Sequence, residues 1–296
     1  MRIEDIMKVT VFTPTYNRAY IIERLYRSLQ NQSCMDFEWL VVDDGSSDNT
    51  QTLFAQWQKE DNPFPIRYVQ QENGGKHRAI NHGLDLAEGE LFFTVDSDDY
   101  LTEDAVEKII KWEAALPPGE KYCGVAGNLG TAPDQTPNHI FQEPFVDGSA
   151  LQRYGMIDGE RAMVFYTDVH RRYKYPTFSG EKFMTEAVAW NRMAEDGYKI
   201  RFFNDIIWIY EYRDDGLTMK GSRLFLENPR GYGLWLKEKA VFSGESFIKR
   251  VKMYYTFTCD LFCLLSSRDI AECIDAPMPL IALFYSLRKV IMFFRK

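Results

Sequence analysis

The sequence predicts an α/β fold, with a mostly parallel central sheet flanked by helices and a helical extension at the C-terminal end. Three observations predict it. Short apolar runs alternate with helix-periodic segments through residues 9–112. The runs are apolar at successive positions rather than at every second one, so both faces of the sheet are covered. A polar motif follows each of the first four runs directly.

Each element follows from its pattern. "VTVFT" (9–13) is an apolar strand. Ile22, Leu25, Tyr26 and Leu29 recur at helical spacing, which predicts an amphipathic helix over 18–31. "FEWLVVDD" (37–44) is the second strand, and "SSDNTQTLFAQWQ" opens on capping residues before becoming a helix. "IRYVQ" (66–70) is the third strand, and "KHRAINHGLDLA" (76–87) is a helix with Ile80, Leu84 and Ala87 on one side. "ELFFTV" (90–95) is the fourth strand, and "TEDAVEKIIKW" (102–112) is a capped helix.

After residue 122 the rhythm loosens. "YCGVAGN" reads as a strand, and residues 129–147, with Pro133, Pro137 and Pro144, read as a long surface excursion. "AMVFYT" (162–167) is a strand, "EAVAWNRMAEDG" (186–197) a helix ended by Gly197, and "KIRFFND" with "IIWIYEYR" a strand pair. From about 222 onward the pattern is helical and rich in Phe, Tyr, Leu and Met. The expected organisation is one domain over 1–220, with halves at 1–128 and 129–220, and a helical extension over 221–296.

Bulk properties remove several classes. A chain of 296 residues holds one large domain or one and a half. A net charge of −8 argues against general nucleic-acid binding, which needs a basic face. "MRIEDIMKVTVF" lacks the basic segment and long apolar run of a signal peptide. Cys34, Cys123, Cys259, Cys263 and Cys273 are odd in number, lack framework spacing, and read as reduced cytosolic thiols.

In such sheets ligands bind outside the carboxyl ends of the strands. "TPTYNR", "VDDGSSD", "ENGGKHR" and "DSDD" all fall at those ends. Asp96, Asp98 and Asp99 repel one another unless a cation or good solvation relieves them. Hard cations such as Mg²⁺ and Mn²⁺ take carboxylate oxygens together with substrate phosphates. The alternative is a solvated turn in which Asp99 caps the next helix. Asp43 or Asp44, as acceptor-only carboxylates, can receive a base N–H such as the uracil imide. Gly74 and Gly75 allow tight backbone, and Lys76 and Arg78 bring charge for phosphate. No Walker sequence and no G-x-G-x-x-G is present.

"VTVFTPTYNRAYIIERLYRSLQNQS", "FEWLVVDDGSSDNT" and "NGGKHRAINHGLDLAEGELFFTVDSDD" resemble the nucleotide-binding half of the inverting family 2 glycosyltransferases, of the glycosyltransferase A fold and bacterial surface-polysaccharide type. The resemblance covers about residues 8–112 closely and extends loosely to about 215. It implies a nucleotide-sugar donor, a UDP-sugar in the first instance, a divalent Mn²⁺ or Mg²⁺, and transfer with inversion. By position, Pro14, Thr15, Tyr16 and Arg18 border the nucleotide, and Asp44, with Asp43 beside it, meets the base. Lys76 or Arg78 approaches the diphosphate. Asp96 and Ser97 face the ribose or sugar, and Asp98, with Asp96, holds the metal. The family's acidic pair opening a helix becomes Thr185-Glu186 in "MTEAVAWNRMA", which puts Glu186 at the position of the catalytic base. Glu181 in "SGEKF" competes for that role. A nucleotidyltransferase and a non-catalytic nucleotide-sugar-binding module are the alternatives.

"FIKRVKMYYTFTCDLFCLLSS" and "PMPLIALFYSLRKVIMFFRK" are apolar yet basic. They suit an interfacial helix at a membrane surface, or a helical subdomain or homodimer interface. The first option fits a lipid-linked sugar acceptor and a cytoplasmic enzyme at the inner face of the cytoplasmic membrane.

Overall fold

The computed structural model describes residues 7–152, 157, 159–213 and 216–294. Its strands are β1 (Val9–Thr15), β2 (Phe37–Asp43), β3 (Ile66–Gln70), β4 (Leu91–Thr94), β5 (Tyr100–Leu101), β6 (Tyr122–Gly130), β7 (Phe145–Gly148), β8 (Arg161–Tyr166) and β9 (Lys199–Ile209). They form one sheet in the order β3-β2-β1-β4-β8-β6-β9-β5, with β7 pairing to β9. The first four strands run parallel. Parallel neighbours need crossovers, supplied here by α1 (Glu23–Gln30), α2 (Thr50–Trp57) and α3 (Lys76–Leu86). β8 is antiparallel to both β4 and β6, and β6 is parallel to β9. The expected α/β fold with a mostly parallel centre is therefore present.

Every residue of β1 and β2 is buried, as continuous apolar strands require. On one face Tyr26 of α1 stacks on Trp57 with ring centroids 4.4 Å apart, and Trp39 of β2 meets Phe54 of α2 at 5.1 Å. α3 packs close to the sheet through Gly83, where an added Cβ would sit 2.2 Å from the Phe12 ring. The chain builds outward through β1, β2 and β3, then returns past β1 to β4. The direction of building reverses beside β1, and such a switch point opens a crevice at the carboxyl ends of the strands.

Two expectations need correction. "KIRFFND" and "IIWIYEYR" are not a strand pair: they form the single strand β9 of 11 residues. Its register against β6 slips between Ala126↔Phe202 and Asn128↔Ile206. Asn204 and Asp205, the polar residues that suggest a turn, are absorbed in that bulge. The excursion over 129–147 also contains order, because β7 pairs antiparallel with β9. Asn204 anchors the loop, accepting from Phe141 N at 2.8 Å and donating to the Glu143 carbonyl at 3.1 Å.

The chain divides into two compact units. One comprises the residues up to Lys174 with Arg192–Tyr212, and the other Tyr175–Asn191 with the residues from Arg213 onward. Residues 175–191 thus group with the C-terminal helices. The second unit contains helices Ser222–Leu226, Pro229–Phe242, Phe247–Leu261, Ser267–Ile274 and Met278–Phe294. Its core is Leu236, Phe257, Leu261, Ile270, Ile274, Ile281 and Phe284. Gly233 lets two helices approach, since a Cβ there would lie 2.2 Å from the Cys273 carbonyl oxygen. No helix among the described residues is long and apolar enough to cross a membrane. All five cysteines are free.

Candidate active site

The loops after β1 and β2 are tied together. Asn17 adopts φ 53°, a left-handed conformation that asparagine tolerates. Its N–H donates to Ser46 Oγ at 2.8 Å, and its Oδ1 accepts from Ser47 N at 2.8 Å. Ala19 N donates to Asp48 Oδ2 at 3.0 Å. Around this clamp Pro14 sits in β1 opposite Val42. Thr15 is buried with its hydroxyl unpartnered among the described atoms. Tyr16 exposes 49% of its surface.

The two carboxylates ending β2 have different surroundings. Asp43 is fully buried, accepting from Ser46 N at 2.8 Å and from the Tyr68 hydroxyl. Burial, with the Asp43 charge beside it, holds the Tyr68 hydroxyl well above its usual range. Asp44 organises the loop after β3. Its Oδ1 accepts from Gln71 Nε2 at 2.7 Å and Gly74 N at 2.9 Å. Its Oδ2 accepts from Gly75 N at 2.7 Å and Asn73 Nδ2 at 3.1 Å. A carboxylate offers about four acceptor sites, so all are in use. His82 Nδ1 lies 3.0 Å from Gln71 Oε1, at the other end of that amide. The resulting loop, with Gly75 at φ 96°, delivers Lys76 to the first turn of α3. Gly74 is bare where a Cβ would fall 2.4 Å from Arg78 Cδ, so Arg78 lies across the loop.

At the end of β4 the acidic cluster meets cations of the protein itself. Lys76 Nζ is 2.7 Å from Asp96 Oδ1, and Arg18 Nη2 is 3.9 Å from Asp98 Oδ2. Burial raises the Asp98 pKa and the Asp96 charge adds to the rise, while Arg18 and Lys76 oppose it. Ser97, between them, is buried. Asp99 turns inward and accepts from Trp208 Nε1 of β9 at 2.8 Å. Burial, then the Asp96 charge, pushes its pKa up to about 8 against that hydrogen bond. Asp99 is thus a fixed internal group, and Asp96 and Asp98 are the more exposed pair.

Those two carboxylates fit a divalent cation in the manner of Mg²⁺, which takes one or two protein carboxylates and completes its shell with phosphate and water. The described residues contain no group of three or more His, Cys, Asp or Glu able to hold a metal. A cation there would take its remaining ligands from phosphate and water.

In the second unit Glu186 stands at the entry to helix Ala187–Glu195 and is partly exposed. Thr185 Oγ1 accepts from Ala187 N at 3.4 Å, so the threonine serves the helix start. Burial, with the Glu186 charge adding to it, raises the pKa of Tyr175 well above its usual value. Glu181 is buried, and its two oxygens accept from Arg230 N at 2.7 Å and Gly231 N at 2.9 Å. It caps helix Pro229–Phe242 at its positive end.

The sequence reading brings Pro14, Thr15, Tyr16, Arg18, Asp43, Asp44, Lys76, Arg78, Asp96, Ser97 and Asp98 to one edge, and all belong to the first unit. Glu186 and Glu181 belong to the second. The reading misses Tyr68, Gln71 and the Asp99–Trp208 bond. Only Gln71 had a signal, in its place directly after β3.

A sheet parallel through its first four strands, with a switch point beside β1 and a polar rim at the strand ends, belongs to the class of α/β folds that bind ligands at that rim. The profile described as "Glycosyl transferase family 2" matches residues 10–174. The chain belongs to this family and is a glycosyltransferase. It is 28% identical over 231 residues to the GalNAc(5)-diNAcBac-PP-undecaprenol beta-1,3-glucosyltransferase of Campylobacter jejuni, an alignment covering 73% of this chain and 69% of that one. It is 28% identical over 235 residues to the chondroitin synthase of Pasteurella multocida, covering 79% of this chain but only 19% of the synthase. Among solved structures, S. aureus TarS 1–349 in complex with UDP-GlcNAc superposes with TM-score 0.62 at 18% identity, covering 97% of this chain and 92% of that one. The mannosyltransferase PcManGT of Pyrobaculum calidifontis, in complex with GDP-Man and Mn²⁺, gives TM-score 0.56 at 20% identity, covering 96% and 80%. These likenesses place the fold among the glycosyltransferase A type.

Proposed function

We propose that the protein transfers a sugar from a UDP-sugar to an acceptor hydroxyl, with inversion and with a divalent cation, in the synthesis of a surface polysaccharide or glycoconjugate. The observation that carries this reading is the ion-pair arrangement at the β4 end. Asp96 pairs with Lys76 and Asp98 with Arg18, beside the rim where Thr15 and Tyr16 lie. The exposed ring of Tyr16 offers a face for the base, and the unpartnered Thr15 hydroxyl offers it a hydrogen bond. Asp44 accepts the imide N–H in exchange for one of its present donors, the partly exposed Gln71 side chain, which gives up its contact with His82 as it turns. Lys76 and Arg18 exchange their carboxylates for diphosphate oxygens, with Arg78 adding charge nearby.

Asp96 and Asp98 would hold Mn²⁺ or Mg²⁺ together with the diphosphate, and a cation so bound neutralises charge on the departing diphosphate. Glu186 accepts the proton of the acceptor hydroxyl as its oxygen attacks the anomeric carbon from the face opposite the leaving group. The new C–O bond forms, the bond to the UDP oxygen breaks, and UDP leaves with that electron pair. Glu181, committed to a helix end, supports Glu186 as the base. The undecaprenol-linked substrate named for the Campylobacter relative supports a lipid-linked sugar as acceptor, met at a membrane surface.

The test is a panel of nucleotide sugars with Mn²⁺, read by nucleotide release, on wild type and Glu186→Gln. The variant is expected to lose about 10²–10⁴-fold in turnover while UDP affinity stays unchanged. Near-native turnover overturns the base assignment. Binding of UDP-sugars with no release under any condition overturns the transfer reading and favours a non-catalytic binding module.

A further inference from the structure

Helix Met278–Phe294 is apolar on both sides, and among the described residues one side packs into the core of the second unit while the other is exposed. Ile281 and Phe284 point into the core of the second unit. Leu283, Leu287 and Val290, at i, i+4 and i+7, stand opposite and are exposed by 55%, 46% and 54%. A helix apolar all round is normally buried all round, and a contiguous exposed stripe marks a binding surface. Charge on this segment is one-sided as well. Residues 278–296 hold Arg288, Lys289, Arg295 and Lys296 and no acidic residue, within a chain of net charge −8. Lys289 is exposed beside the stripe, 5.1 Å above the Tyr285 ring. The same unit repeats the combination at the start of helix Phe247–Leu261, where Phe247 and Ile248 are 80% and 79% exposed just before Lys249, Arg250 and Lys252.

We infer that helix Met278–Phe294 lies in the plane of an anionic lipid surface, with Leu283, Leu287 and Val290 inserted among the acyl chains and Lys289 at the headgroup phosphates. At 17 residues, interrupted by Arg288 and Lys289, the helix suits the interface rather than a crossing. A second copy of the chain would cover the stripe but would present the same acid-free helix, leaving Lys289 without a counter-charge. A phospholipid supplies both requirements, acyl chains for the stripe and phosphate for Lys289. The inference extends the proposed use of a lipid-linked acceptor by naming the surface that holds the enzyme near it. It is tested without donor or acceptor, so its failure leaves sugar transfer standing, and a failed transfer assay leaves it standing in turn.

The experiment sediments the full chain with vesicles of phosphatidylcholine alone or mixed with phosphatidylglycerol. Wild type is expected to pellet with the mixed vesicles and to be released by salt. Leu283→Glu/Leu287→Glu should stay in the supernatant, with binding weakened at least about tenfold, while its melting temperature and UDP titration match wild type. Lys289→Glu, which leaves the stripe intact, should bind the mixed vesicles about fivefold or more weakly. Wild type remaining in solution with both vesicles overturns the inference, as does equal binding to both. A dimer of wild type in solution that the double variant dissolves assigns the stripe to a second copy and overturns it as well.

Discussion

Asp44→Asn changes one atom type at the centre of the rim, and its effect can be worked from the hydrogen bonds. Asp44 receives four N–H donors, two on each oxygen. Asparagine keeps one carbonyl oxygen able to accept two of them. Its NH₂ must then face two donors that held an oxygen, either the pair from Gln71 and Gly74 or the pair from Gly75 and Asn73. A hydrogen bond to a charged group contributes about 1.5–3 kcal/mol, so two lost bonds amount to about 3–6 kcal/mol before relaxation. Asp44 is buried but its donors are partly exposed, and Gln71 can turn to solvent, which brings the expected loss to about 3 kcal/mol. Urea unfolding with the slope held against wild type measures it. UDP binding should fall in parallel, because the Gly74–Gly75 turn that presents Lys76 is no longer pinned. A loss below about 1 kcal/mol, with UDP binding abolished, would refute the reasoning. Asp44 would then serve the base alone and not the loop.

Gly83→Ala should cost about 1–3 kcal/mol, since its Cβ would fall 2.2 Å from a Phe12 ring held within the sheet; an unchanged melting temperature contradicts the close packing of α3. Burial pushes His170 down to about 3 and His77 down to about 4, with Arg78 adding to the latter. Unfolded histidine titrates near about 6.5, so acid favours the unfolded chain, and the stability these groups leave intact above that pH is lost as pH falls towards 4 and then 3. Asp99 acts with opposite sign, keeping its proton in the fold up to about 8. The informative quantity is therefore the difference between wild type and His170→Phe. The variant should remove about 1.4 kcal/mol per pH unit of acid sensitivity between pH 6 and 4; parallel curves in urea unfolding refute it.

The first four strands and their helices were legible because their signal is local. Successive apolar positions mark a covered strand, and Ile22, Leu25, Tyr26 and Leu29 mark a helix face. The rim was legible for the same reason, since each polar motif falls at the end of a strand. The second half depends on pairings between distant residues. Nothing near residue 164 announces that β8 will enter antiparallel between β4 and β6. The β9 bulge hides in two polar residues that look like a turn. Side-chain partners are also non-local. Three aspartates in four positions imply a counter-charge but do not say which. The structure supplies Lys76 and Arg18 from two other loops and sends Asp99 to Trp208. Glu181 and Glu186, five positions apart, look alike as acids in sequence. Only the fold shows that one caps a helix.

The central claim is that two carboxylates and a nucleotide diphosphate together complete one cation site, which neither completes alone. Isothermal titration of UDP into the protein, with Mn²⁺ and then with chelator, tests it most directly. UDP should bind at least about tenfold more tightly with Mn²⁺, and Asp98→Ala should erase the difference. Equal affinity with metal and with chelator would contradict the account.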